Sequence, residues 1–240
     1  MENFMKRFAC ALTALMLCAL SASAALDVTW TQGEEWFPDR DAWIYYYAYT
    51  VPEVGGSDAL SEELNHYFDT AIGEMVNLVI PMFTADMPGD GRNEITDRYE
   101  ITCNNDEFFS FLLRRGTLSE GKEVLSLQSA VFAVSGQYTG ESLTLRGLAR
   151  EIGESSSQIA GFVIKDIWRK IEERIKAGDW AVRKDMSFEL LSAEFFPETH
   201  FYADELGNIA FYLQPGLLGP GEEMAVFTYT PDELENLLEP

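Results

Sequence analysis

Residues 57–81, SDALSEELNHYFDTAIGEMVNLVIP, read as one amphipathic helix set among stretches that alternate like strands, and this neighbourhood limits the fold more than any other feature of the chain. Ser57 or Asp58 stands as N-cap, and Leu60, Leu64, Tyr67, Phe68, Ala71, Met75 and Val79 recur at helical spacing before Pro81. His66 falls opposite that stripe and is expected in solvent. A helix with one apolar stripe must bury it, and the flanking strands are the available surface. Just before it, Trp43, Tyr45, Tyr47 and Tyr49 fall on one side of a strand and Ile44, Tyr46 and Ala48 on the other.

After the helix, MPGDGRNE reads as a loop. EITDRYEITCN, FFSFLLRR and VLSLQSAVFAV follow as neighbouring antiparallel strands, with GTLSEGKE a loop between the second and third. GQYTGESLTLRGL reads as a turn and a short strand. A second long helix is expected in SSSQIAGFVIKDIWRKIEERIKAG, with Ile159, Val163, Ile167, Ile171 and Ile175 as its stripe and Gly178 as its end. Strands return at HFYAD, NIAFYLQ and MAVFTYT, before a short helix opened by a capping box of Thr230, Pro231 and Glu233. The expected class is α+β: antiparallel sheet with two main helices packed on it and a short C-terminal helix. With 240 residues, 47% of them hydrophobic, the chain suffices for one cored domain over 25–240, with room for two lobes of about 25–135 and 136–240.

Residues 1–24 carry Lys6 and Arg7, an apolar run from Phe8 to Leu20, and small Ala22 and Ala24. That pattern predicts a secretory signal peptide cleaved after Ala24, and an extracytoplasmic protein, secreted or periplasmic. Cys18 follows Leu15, Met16 and Leu17, which is no lipidation pattern. No later run is long and apolar enough to span a membrane, which takes about 18 residues. Of three cysteines, Cys10 and Cys18 leave with the leader, so Cys103 has no intramolecular partner. It alternates with Tyr99 and Ile101, as a buried strand thiol would. The formal net charge is −23, one unit more negative once Lys6, Arg7 and Glu2 are removed. Phosphate backbones are repelled and nucleic acid is excluded as a partner, whereas encounter with cationic proteins is accelerated.

Catalytic constellations are scarce. The two histidines, His66 and His200, accompany no GxSxG, and neither HExxH nor HxxxH occurs. Glu198 and Asp204 lie near His200 without a placed nucleophile. Ser119 and Lys122 form an SxxK without its partner motifs. Asp86, Asp90, Gly91 and Asp97 follow part of a calcium-loop spacing, but Pro88 takes one ligand position and Asp97 replaces the bidentate Glu. No metal and no cofactor are expected. Paired carboxylates for glycan hydrolysis stay open as an alternative, because that chemistry asks only for a separation in space. The stretch GNIAFYLQPGLLGPGEEMAVFTYT has no basic residue between Gly216 and Met224, and Glu222 and Glu223 would repel an anion, so its glycines serve the backbone. Candidate ligand contacts are Tyr45, Tyr47 and Tyr49, whose rings could stack on sugars, together with Gly216, Gly219 and Gly221 of the bend. Packing against a helix is the commoner fate of such aromatics.

HFYADELGNIAFYLQPGLLGPGEEMAVFTYTPDELENLL resembles the C-terminal half of the extracytoplasmic domain shared by lysozyme-sensing anti-sigma factors and the accessory regions of peptidoglycan deacetylases. SAVFAVSGQYTGESLTLRGL is similar to that family's strand, turn and TGxxLxLxDL segment, with Gly147 where an Asp is usual. The long helix and the aromatic strand before it match the family's opening. LLRRGTLSEGKEV stands where many members carry a glycine-rich, histidine-containing segment. The resemblance implies an α+β fold and a bacterial envelope domain. It transfers no activity, since the deacetylase needs a metal-binding catalytic domain and the anti-sigma role a cytoplasmic part and a membrane span. The expectation is a non-catalytic domain recognising cell-wall glycan or a cationic protein such as lysozyme, with a carboxylate-dependent glycan hydrolase or deacetylase, or a structural partner of another envelope protein, as the alternatives.

Overall fold

The structure, a computed structural model, describes residues 25–86, 91–148, 156–178, 182–219 and 224–238. The leader lies outside them, as do Asp90 and Gly221. Strands β1 (Val28–Phe37) and β2 (Tyr45–Val54) form a hairpin, then a helical stretch crosses over to β3 (Asn93–Asn104), β4 (Phe108–Ser119) and β5 (Lys122–Ala133). These make one five-stranded sheet in chain order. A second, three-stranded antiparallel sheet holds β6 (Phe201–Ala203), β7 (Ile209–Leu213) and β8 (Ala225–Tyr229). The class is α+β, with one correction to the antiparallel expectation: β2 and β3 pair in parallel, because a helix rather than a turn connects them.

That connection is α1 (Ala59–Glu74), a π-helical turn (Met75–Val79) and α2 (Ile80–Asp86). Asp58 caps it, its carboxylate accepting from the Ser61 N–H at 2.9 Å. The helix does not stop before Pro81. Proline lacks the N–H that would close a normal turn; one residue earlier the Ile80 N–H reaches back five residues to the Met75 carbonyl, and the Asn77 side chain donates to the Gly73 carbonyl at 2.9 Å. Leu64, Phe68, Met75 and Ile80 are buried against the sheet, and His66 is exposed, as its phase requires. Under α1, Phe68, Tyr99, Phe109, Phe111 and Phe132 form an aromatic core.

The loop expected over 116–123 shrinks to two residues. β4 runs to Ser119 and β5 starts at Lys122, around Glu120 and Gly121, both at positive φ. Such a turn follows the twist of the strands it joins. Ser119 and Lys122 therefore face each other as the last pair of a hairpin.

α3 (Leu145–Leu148) replaces the short strand expected there, of which only bridges such as Phe132 with Ser142 remain. α4 (Ser156–Ala177) buries Ile159, Val163, Ile167 and Ile171 against the second sheet and α5 (Phe188–Glu194). Ile175, the last of the expected stripe, is instead exposed, one turn beyond the surface the helix packs on, and Gly178 ends the helix at φ +78°. α6 (Pro231–Leu238) opens with the expected box: the Thr230 N–H donates to Glu233 at 2.9 Å and the Glu233 N–H to Thr230 Oγ1 at 3.2 Å.

The second sheet covers only part of the first. β6 packs across β4 and β5, where Leu112, Leu127 and Tyr212 are buried together. The Gln214 side chain accepts from the Leu127 N–H at 2.9 Å and donates to its carbonyl at 2.8 Å, occupying backbone groups of β5 that face away from β4. Gly216 makes the next turn at φ +79°. Gln214, directly after β7, thus lies on the sheet edge.

Cys103 lies 1% exposed within the core that α4 shares with the second sheet, and burial pushes its thiol up to about 11. A thiol reagent at neutral pH should leave the native protein untouched and label one cysteine of the leaderless chain after denaturation; labelling of the folded protein would contradict this packing.

Candidate functional site

Strand alternation gives the large sheet two unlike faces. Tyr45, Tyr47 and Tyr49 point toward the helices, with Asn93, Ile95, Asp97 and Tyr99 beside them. Tyr45 and Tyr47 are buried, and the Tyr49 ring lies across Gly33 of β1, in the space a Cβ would fill. The sugar platform placed on these tyrosines is therefore corrected. Their side is the one that α1 and α2 cover. Tyr47 instead donates to Asp97 at 2.9 Å, and Arg115 grips the same carboxylate through Nε and Nη2 at 2.7 and 2.6 Å. Burial, then the Asp97 charge, raises the Tyr47 phenol, which keeps its proton. Asp97 is thus committed to the interior and unavailable to a calcium loop.

On the opposite face, register aligns Trp36 with Tyr46, Glu34 with Ala48, Ala48 with Thr96 and Thr50 with Arg98. Beyond the reach of the second sheet these residues are part or fully exposed. At the tip, Trp36 and Tyr46 have ring centroids 5.4 Å apart, and Trp43 joins at 6.1 Å from Tyr46. The hairpin loop is held by the Ile44 N–H donating to Phe37 O at 2.7 Å, and by Asp39 accepting from the Asp41 and Ala42 N–H groups. Arg40 of that loop stacks over Trp36 at 4.8 Å, and Arg92, leading into β3, over Trp43 at 4.7 Å. Burial, then a hydrogen bond to Glu34, raises the Tyr46 phenol. This half-open aromatic face is the candidate site. Alternation showed Tyr46 facing away from its neighbours; which face the helix covers was not readable locally.

A cleft of about 340 Å³ between α4, β8 and α6 is lined by Asp166, Arg169, Lys170, Tyr229 and Glu233. Tyr229 donates to Asp166 at 2.7 Å, and Arg169 and Lys170 pair with the same carboxylate at 2.6 and 3.1 Å. Burial would raise Asp166, but the bonds from Arg169, Tyr229 and Lys170 outweigh it and hold the carboxyl low, while burial and Asp166 drive the Tyr229 phenol up. Both groups move away from neutrality, the wrong direction for proton transfer there.

His200 is stacked on Tyr212 at 5.4 Å, with Nδ1 accepting from the Phe196 N–H at 3.3 Å. Asp204 is spent on the Leu206 and Asn208 N–H groups, both at 2.9 Å. Burial lowers the His200 pKa, so the unfolded chain takes up its proton first as pH falls below about 6.5. Stability is thus full above that value and declines below it: the urea midpoint should drop between about pH 7.5 and 5.5, and drop less in His200→Gln. Among the described residues no group of three His, Cys, Asp or Glu side chains is placed to hold a metal ion, and no helix is long and apolar enough to cross a membrane. Gly216 and Gly219 lie in the connection after β7, away from the aromatic tip in sequence and sheet.

No protein-family model and no curated protein matches the chain. Solved structures do. A DUF3298 family protein from Pseudomonas aeruginosa PAO1 is 10% identical with a TM-score of 0.58, over 92% of this chain and 99% of that one. A member of the same family from Bacteroides fragilis is 12% identical with a TM-score of 0.57, over 90% and 94%. At such identities the likeness is one of fold, and it extends over nearly the whole length of each protein.

Proposed function

We propose that the protein is a non-catalytic recognition domain of the bacterial cell envelope and that cell-wall glycan is its ligand. The observation that carries this reading is the outward sheet face where Trp36, Trp43 and Tyr46 meet water beside polar strand residues, as stacking on pyranose rings requires. The leader pattern supports export. The resemblance to the domains of lysozyme-sensing anti-sigma factors and peptidoglycan deacetylases supports the envelope. A cationic protein such as lysozyme is the second reading, favoured by the excess of 40 acidic over 17 basic residues. Co-sedimentation with insoluble peptidoglycan, and calorimetry against lysozyme over a salt series, test the two. Glycan binding that persists in salt and weakens in Trp36→Ala supports the first reading. Binding of lysozyme alone selects the second. Absence of both, or turnover of either, ends the proposal.

A further inference from the structure

The aromatic tip has a feature that sugar stacking alone does not require. Arg40, Trp36, Tyr46, Trp43 and Arg92 form one continuous row, with a guanidinium at each end and rings between. The register of β1 on β2 sets the first half of the row. The Asn93 N–H, donating to Ile44 O at 2.8 Å, anchors the start of β3 and with it the second half. In a chain with so many carboxylates, most of the other arginine contacts are ion pairs: Arg114 with Glu100, Arg115 with Asp97, Arg169 with Asp166, Arg183 with Asp185. Arg40 and Arg92 pair with no carboxylate among the described residues, and both are exposed. A guanidinium held over a ring and paired with no carboxylate keeps N–H donors available to a ligand that lies on the neighbouring rings. That fork fits a carboxylate, and two such forks flank three rings.

We infer that this row selects an acidic saccharide: a chain of pyranose rings bearing carboxylates, stacked on Trp36, Tyr46 and Trp43 and clamped at its acid groups by Arg40 and Arg92. The inference rests on the glycan reading above and adds the charge of the ligand. Glu34, bonded to Tyr46, and Glu94 beside it repel an acid at the middle of the row, so the acid groups belong at its two ends, over Arg40 and Arg92, while the field of the rest of the strongly negative chain is screened beyond about 8 Å at about 0.15 M salt. Selection is therefore local to the row.

Calorimetry at that ionic strength should compare oligogalacturonate, soluble peptidoglycan fragments with their acidic sugar, and neutral chito-oligosaccharide of matched length. The carboxylate-bearing chains should bind about tenfold or more tighter than the neutral one, and Arg40→Gln or Arg92→Gln should each cost the acidic chains about tenfold more than it costs the neutral one. Peptidoglycan fragments bound in preference to oligogalacturonate would place the acid on wall glycan; equal binding would make the site general for acidic polysaccharides. Both arginines are exposed, so circular dichroism melts of the variants should match the parent. Equal affinity for neutral and acidic chains, or variants that keep the preference, would overturn the inference and leave the glycan reading standing. Failure of every saccharide to bind would end the glycan reading itself.

Discussion

Arg115→Leu is expected to destabilise the fold by about 3–5 kcal/mol, because it leaves a buried carboxylate without its countercharge. Asp97 is 1% exposed and Arg115 supplies two of the three hydrogen bonds its side chain receives, the third coming from Tyr47. The triple replacement Tyr47→Phe, Asp97→Val, Arg115→Met should recover most of the loss, since apolar side chains of similar size can replace a buried ion pair at little cost. Urea unfolding followed by tryptophan fluorescence measures both. A loss under about 1 kcal/mol for the single variant would mean that water reaches Asp97 and that the helices do not seal this face. The point bears on function: a sealed inner face leaves only the outer one for a ligand.

Phe111→Ala should cost about 3–5 kcal/mol by leaving a cavity that its neighbours cannot fill. The ring is 1% exposed and lies 5.1 Å from Phe68, 5.3 Å from Tyr99, 5.6 Å from Tyr67 and 6.4 Å from Phe132. Those partners come from α1, β3 and β5, so the substitution loosens the helix from the sheet as well as the sheet within itself. With about 5–15 kcal/mol holding a domain together, such a change should lower the denaturation midpoint sharply. Phe111→Leu, which keeps most of the volume, should lose far less.

Elements with a strong period of their own were readable in the sequence. The stripe of α4, the Asp58 cap, the Thr230–Glu233 box, the alternation of β3 and the antiparallel succession of β3, β4 and β5 depend on neighbours close in sequence, and the structure keeps them. β1 was not readable as a strand, since VTWTQGEEWF is mostly exposed and its place is set by pairing with β2. α5 was too short to show a period. The parallel pairing of β2 with β3 follows from where a helix packs, which no local pattern records. The aromatic strand shows the limit most clearly. Its alternation was legible, separating Tyr45, Tyr47 and Tyr49 from Tyr46, but the side that the helical connection covers was decided by contacts with Ile95 and with Met75 and Ile80 of that connection, distant in sequence. The candidate platform accordingly moves one residue along the strand, from the buried tyrosines to Tyr46 and its neighbours Trp36 and Trp43.

Two DUF3298 family proteins share the fold at 10% and 12% identity, so they support the layout of sheets and helices and not the identity of a site. The functional reading depends on the side chains of the outer face, Trp36, Trp43 and Tyr46.

Ligand is expected to meet the outer face of β1–β3 and to leave the polar cleft at α4 and α6 alone. Two-dimensional NMR of the protein titrated with solubilised wall glycan tests it most directly. The account predicts shifts of the Trp36 and Trp43 indole N–H groups and of amides around Glu34, Tyr46 and Arg92, with Asp166 and Tyr229 unmoved. Shifts centred on Asp166 and Tyr229, or a spectrum unchanged at saturating glycan, would contradict it.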